Sequence, residues 1–151
     1  MVADVLHVLM AEDDDGHATL LRRSLRRAGV PANSVRLRDG QELLDYVYRR
    51  APWTNRTLHD ALVMILDLNM PRIDGLEVLR RLKTDRALAR IPIIVLTTTD
   101  NPFEIDRCYA LGAAVCLVKP VDYGAFSIMV QRLAELLIHA RMPGESKAID
   151  G

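Results

Sequence analysis

Short apolar runs alternate five times with amphipathic stretches, and no other feature of the sequence restricts the fold as much. "VLHVLMA" (Val5 to Ala11), "NSVRLR" (Asn33 to Arg38), "ALVMILD" (Ala61 to Asp67), "IPIIVLTT" (Ile91 to Thr98) and "AAVCLVK" (Ala113 to Lys119) read as short strands. The stretch "ATLLRRSLRRAG" sets Leu20, Leu21, Leu25 and Ala28 on one side and Arg22, Arg23, Arg26 and Arg27 largely on another, and stops at Gly29. That pattern is a surface helix. Further helices are expected from Asp39 and Gly40 through Arg50, from about Gly75 to Thr84, from about Pro102 to Leu111, and from about Tyr123 to Ala140. Crossovers between parallel strands need about a dozen residues and bring helices onto both faces of the sheet. The expected architecture is therefore α/β: a (βα)5, doubly wound, five-stranded parallel sheet in a three-layer sandwich.

Ligands of such sheets gather beyond the carboxyl ends of the strands, near the switch in strand order. The first strand ends in Glu12, Asp13, Asp14 and Asp15, the third in Asp67, the fourth in Thr97 and Thr98, and the fifth in Lys119. Carboxylates crowded together repel one another, so such an edge either raises their pKa values or holds a cation. A hard divalent ion is the simpler remedy, and Mg2+ takes one or two carboxylates while keeping waters and a phosphoryl oxygen as its other ligands. Asp13 and Asp67 are the candidate ligands. Lys119 adds a point charge and Thr97 a hydroxyl donor, the two groups a transferred phosphoryl needs, which makes Asp67 the candidate nucleophile.

The residues resemble a family at this point: the receiver domains of two-component response regulators. The likeness rests on Glu12 and Asp13 after the first strand, Asp67 within "LDLNMPRIDG", Thr97 in "IPIIVLTT", and "VKP" at Val118 to Pro120. It implies the flavodoxin-like receiver fold over residues 1–141 and, with no output region after Arg141, a single-domain regulator; residues 142–151 are expected to be a frayed tail. It also implies phosphorylation of Asp67 by the phosphohistidine of a sensor histidine kinase. Asp13 would bind Mg2+ directly, Glu12 would assist, and the backbone carbonyl of Asn69 would complete the protein ligands. Lys119 would pair with Asp67 and then with the phosphoryl group, toward which Thr97 would turn its hydroxyl. Asn69 and Thr98 would flank the hydrolytic water and control dephosphorylation, and a cis peptide between Lys119 and Pro120 would aim the lysine inward. "LDLNMPRIDGLEVLRRLK", "IPIIVLTTTDNPFEIDRCYALGA" and "VKPVDYGAF" look most like the small regulators that partner bacterial and cyanobacterial phytochrome kinases. A bacteriophytochrome is then the implied kinase. A downstream target or phosphotransfer protein is the implied recipient, and a homodimer through the last strand and helix the implied assembly.

Three residues before Lys119, where many receivers carry a Tyr or Phe that swings inward, the sequence has Cys116. A thiol is too small for that readout, so the switch is expected to run through Thr97 and the loop Thr98 to Pro102, or the helix after it. Asp14 or Asp15 reads as a helix N-cap rather than a metal ligand, and His17 as a surface helix position. Cys108 and Cys116 lack metal or C-x-x-C spacing and read as buried reduced thiols, which suits a cytoplasmic protein. Lys plus Arg equals Asp plus Glu at 20 each, so nothing draws the chain toward nucleic acid, and no apolar run approaches the roughly 20 residues of a membrane span. The arginines of the first helix form a solvated or partner-docking face; Leu133, Leu136 and Leu137 are core or interface. Two other function classes stand beside the signalling module. An aspartyl-phosphate hydrolase is disfavoured because Asn69 replaces its second acid. A phosphorylation-independent interaction module is encouraged by Cys116 but opposed by the intact acidic, threonine and lysine set.

Overall fold

The computed structural model describes residues 6–29, 32–55 and 62–143. Five strands, β1 (Leu6–Ala11), β2 (Ala32–Leu37), β3 (Leu62–Asp67), β4 (Ile93–Thr97) and β5 (Val115–Val118), alternate with α1 (Asp15–Arg27), α2 (Gly40–Val47), α3 (Gly75–Thr84), α4 (Pro102–Ala110) and α5 (Tyr123–His139). All strands are parallel, in the order β2-β1-β3-β4-β5. The fold is the expected doubly wound sandwich, and its strand order reverses between β1 and β3.

Side-chain alternation along the strands divides the core in two. On β3, Val63 and Ile65 join Leu21, Leu25, Phe126 and Val130 under α1 and α5. Leu62, Met64 and Leu66 join Leu44, Val78, Leu79 and Cys108 under α2, α3 and α4. A strand buried on both faces must be apolar throughout, and the Leu62 to Leu66 run meets that requirement until Asp67. Of the three leucines in question on α5, Leu133 and Leu137 are buried and Leu136 is exposed. Met142, in the stretch expected to be a frayed tail, is buried with the α1/α5 cluster. The remaining tail positions, 144–151, and the loop residues 56–60 lie outside the described residues.

Each helix begins on an Asp or Asn whose side chain accepts a first-turn N–H: Asp14 from His17, Asp39 from Glu42, Asp74 from Leu76, Asn101 from Phe103 and Asp122 from Ala125. Such caps are worth about 1 kcal/mol each, and all five lie at the strand-end edge of the sheet because each helix follows its strand through a βα loop. The cap at Asp14 adds a turn to α1 ahead of the expected Ala18. Helix α2 stops at Val47, short of Arg50, where Arg49 takes a left-handed conformation at φ 58°. At the other end of α1, Gly29 has φ 77°, the left-handed residue expected just past a helix.

Candidate functional site

The acidic loop after β1 is pinned by backbone before any acid acts. Glu12 N–H donates to Leu37 O at 2.9 Å, and Arg36 Nε donates to Glu12 O at 2.9 Å. This anchoring turns the Glu12 side chain inward, where it is 1% exposed, and leaves Asp13 in solvent. Strand β3 pairs with β1 through Leu66 and Ala11, which brings Asp67 alongside. One oxygen from each of Glu12, Asp13 and Asp67 lies within 4.8 Å of the others.

Lys119 closes the cluster from β5. Its backbone N–H donates to Thr97 O at 2.7 Å, and its Nζ donates to Asp67 Oδ2 at 2.8 Å and Glu12 Oε2 at 3.0 Å. The second oxygen of Asp67, Oδ1, accepts the Asn69 N–H at 2.8 Å. With both oxygens engaged Asp67 is only 3% exposed, so the edge is drier than an acid at the end of an apolar strand suggests.

The electrostatics follow from burial. Desolvation, then the neighbouring Asp67 charge, push the Glu12 carboxyl up to about 7, with Lys119 opposing both. Burial alone would lower the Lys119 ammonium, but hydrogen bonding and attraction to Asp67 and Glu12 outweigh it and raise it. Three acids face one ammonium in the cluster, and every acidic donor is a carboxylate oxygen. This excess negative charge and oxygen-only donor set fit a hard divalent cation.

Thr97 is buried beside Lys119, but its Oγ1 accepts the Thr99 N–H at 3.1 Å rather than meeting Asp67. Asn69 and Thr98 are joined: Asn69 Oδ1 accepts both the N–H and the hydroxyl of Thr98, at 3.0 and 3.1 Å. The expected cis bond before Pro120 is absent. Among the described residues the cis peptide is Ala51–Pro52, and Lys119–Pro120 is trans, the form X-Pro bonds favour by roughly 0.5–1 kcal/mol. Asp14 is the cap, its carboxyl lowered by the His17 N–H it accepts. Asp15 turns outward to Arg36, whose hydrogen bond lowers it, and to Arg38. Cys108 is buried and Cys116 half-buried on the open edge of β5, where the Cys116 N–H donates to Tyr109 Oη at 3.0 Å.

His17 corrects the reading of a plain surface position. Its Nδ1 lies 3.3 Å from Lys119 Nζ and 3.8 Å from Glu12 Oε1. The signal in the sequence was its place in the first turn of the helix that starts at the acidic loop, a turn that faces the strand ends.

Comparison with known proteins agrees with this geometry. The family model of the response regulator receiver domain matches residues 8–131. The probable methanogenesis regulatory protein FilR2 of Methanothrix harundinacea is 33% identical over 132 residues, 87% of this chain and 83% of that one. Response regulator Rcp1 of Synechocystis sp. is 30% identical over 124 residues, 82% of this chain and 83% of its own length. The crystal structure of Mn(2+)-bound Rcp1 aligns with a TM-score of 0.86 and 27% identity over 92% of this chain and 99% of that one. The phosphorylated cyanobacterial phytochrome response regulator RcpA aligns at 0.84 and 30% identity over 93% and 100%. Among the described residues no helix is long and apolar enough to cross a membrane. By its family match, its fold and the acids and lysine gathered at its strand ends, the chain belongs to the response regulator receiver domain family.

Proposed function

We propose that Asp67 accepts a phosphoryl group from a partner histidine kinase and that the chain signals through altered protein–protein contacts. The observation that carries this reading is the Lys119 ammonium bound at once to Asp67 Oδ2 and Glu12 Oε2, with Asp13 alongside. One Asp67 carboxylate oxygen attacks the phosphorus of the kinase phosphohistidine. The P–O bond forms as the P–N bond breaks, and the imidazole leaves with its electron pair and takes a proton from solvent. Lys119 follows the charge from the carboxylate to the phosphoryl oxygens, and Thr97 exchanges its loop bond for the same group. Mg2+, held by Glu12, Asp13, Asp67 and the Asn69 carbonyl, would supply charge neutralisation of the phosphoryl group when bound. Asn69 and Thr98, tied to each other, control the approach of the hydrolytic water and so the lifetime of the signal.

A light-sensing kinase of the bacteriophytochrome type is the proposed donor, because RcpA, a cyanobacterial phytochrome response regulator, is similar over 93% of this chain. The assembly proposed is a homodimer through β5 and α5, where Val118, Val121, Tyr123, Ile128 and Leu136 are exposed. Incubation with Mg2+ and a small phosphodonor, read by intact mass, tests the reaction. A labile one-phosphoryl gain is expected, lost in Asp67→Asn and lost without metal. No gain in the wild type would instead favour a phosphorylation-independent interaction module, the reading that Cys116 encourages.

A further inference from the structure

Lys119 carries three N–H donors, and the phosphoryl chemistry proposed above accounts for two of their acceptors, Asp67 Oδ2 and Glu12 Oε2. The third acceptor is His17 Nδ1, at 3.3 Å. An ammonium has donors only, so a hydrogen bond between the two requires the lone pair on Nδ1 and the ring N–H on Nε2. The backbone of His17 is fixed by the helix cap, and the ring by α5. Its own backbone N–H is bound to Asp14 Oδ1 at 2.9 Å, and its face leans on Phe126 of α5, with centroids 4.7 Å apart and planes tilted by 51°. Phe126 is itself fully buried and lies 5.6 Å from Lys119 Nζ. An exposed side chain on a helix has no need of such a seat.

We infer that His17 is a positioning residue for phosphoryl transfer, acting through Lys119. When Asp67 becomes esterified, the ammonium must leave Oδ2 for a phosphoryl oxygen, and in doing so it loses one of its two charged anchors. His17 keeps a neutral acceptor on the opposite N–H, so the ammonium pivots in place rather than withdrawing with Glu12. A carboxylate at the same position would hold it as firmly but would add a fourth negative charge to a site that must receive a phosphoryl dianion. The neutral imidazole orients Lys119 without competing with the phosphoryl group for it.

The inference rests on Asp67 being the acceptor, and the test separates the two. His17→Leu and His17→Ala remove the acceptor, whereas His17→Asn returns an oxygen close to the position of Nδ1. Phosphorylation by acetyl phosphate at saturating Mg2+ is followed by intact mass, and the Lys119 ammonium by 1H–15N NMR. The expected result is a limiting rate about tenfold lower in both acceptorless variants, with half-saturating donor concentration unchanged. The Lys119 ammonium signal is expected to broaden through faster exchange in those two, with rate and signal recovered in His17→Asn. An acceptorless variant that folds and is phosphorylated as fast as the wild type overturns the inference while leaving Asp67 as acceptor. So does a His17→Asn variant as slow as His17→Leu, which would mark packing on Phe126 as the cause. A wild type that takes no phosphoryl group ends both.

Discussion

At the scale of single residues the site is a balance of buried charge, with Lys119 opposing two buried carboxylates. Replacing it by Met leaves Glu12 and Asp67 without their cation, a loss that typically costs 3–5 kcal/mol in a buried pair. Because Glu12 already titrates near 7, it can escape by taking a proton, which puts the expected cost for Lys119→Met at about 3 kcal/mol. Urea unfolding at pH 7.5 without divalent ions checks this; saturating Mg2+ should recover part of the loss, and unchanged stability would mean the pair contributes nothing. The cysteines give a prediction with a defined pH sense. Burial first, and the neighbouring Cys116 second, push the Cys108 thiol from 9.0 up to about 11. The fold therefore favours the protonated thiol, a preference complete below pH 9 and lost as pH climbs through about 11. At pH 8 a maleimide should modify half-exposed Cys116 first and reach Cys108 only through opening of α4, as peptide mass spectrometry would report. Equal labelling of the two in the native state would contradict this.

At the scale of elements, βα loops aim the chemistry, and one glycine sets how closely they pack. A Cβ on Gly75 would stand 2.6 Å from Leu68 Cα and 3.0 Å from Leu68 O, against backbone that cannot rotate away. The N-terminus of α3 therefore rests directly on the residue after Asp67. Gly75→Ala is expected to cost about 1–3 kcal/mol by overpacking and to displace Leu68, with a lower melting temperature and slower phosphorylation together; a variant that loses neither would show that this contact is slack. The sequence could announce this contact only in part. The start of a helix near Gly75 was legible, but the approach of Gly75 to Leu68 depends on how α3 docks. His17 was lost for the same reason. Its heptad neighbours identified the apolar face of α1, yet which residue of the first turn meets Lys119 depends on the crossing of α1 over α5.

At the scale of the whole molecule, the layer order was legible because short continuous apolar runs and amphipathic stretches alternate five times, and right-handed crossovers then leave few topologies. The convergence of Glu12, Asp13, Asp67 and Lys119 follows from that topology alone. What covers the outer surface does not, since an exposed apolar side chain looks the same in sequence as a buried one. Strand β5 ends the sheet, and beyond it Val118, Val121, Tyr123, Ile128 and Leu136 are exposed along the strand end, its loop and α5. A stable interface removes roughly 1,200–2,000 Å² from water and is depleted of charge at its centre, and these side chains would form such a centre between two copies. Sedimentation at tens of micromolar is expected to give a dimer for the wild type and a monomer for Ile128→Glu combined with Leu136→Glu. A carboxylate at each position puts charge into the apolar centre, where its desolvation opposes association. Neither residue touches the acidic cluster, so the double variant should still accept the phosphoryl group at the wild-type rate. A wild type that sediments as a monomer both with and without phosphodonor would exclude this face as a contact between copies.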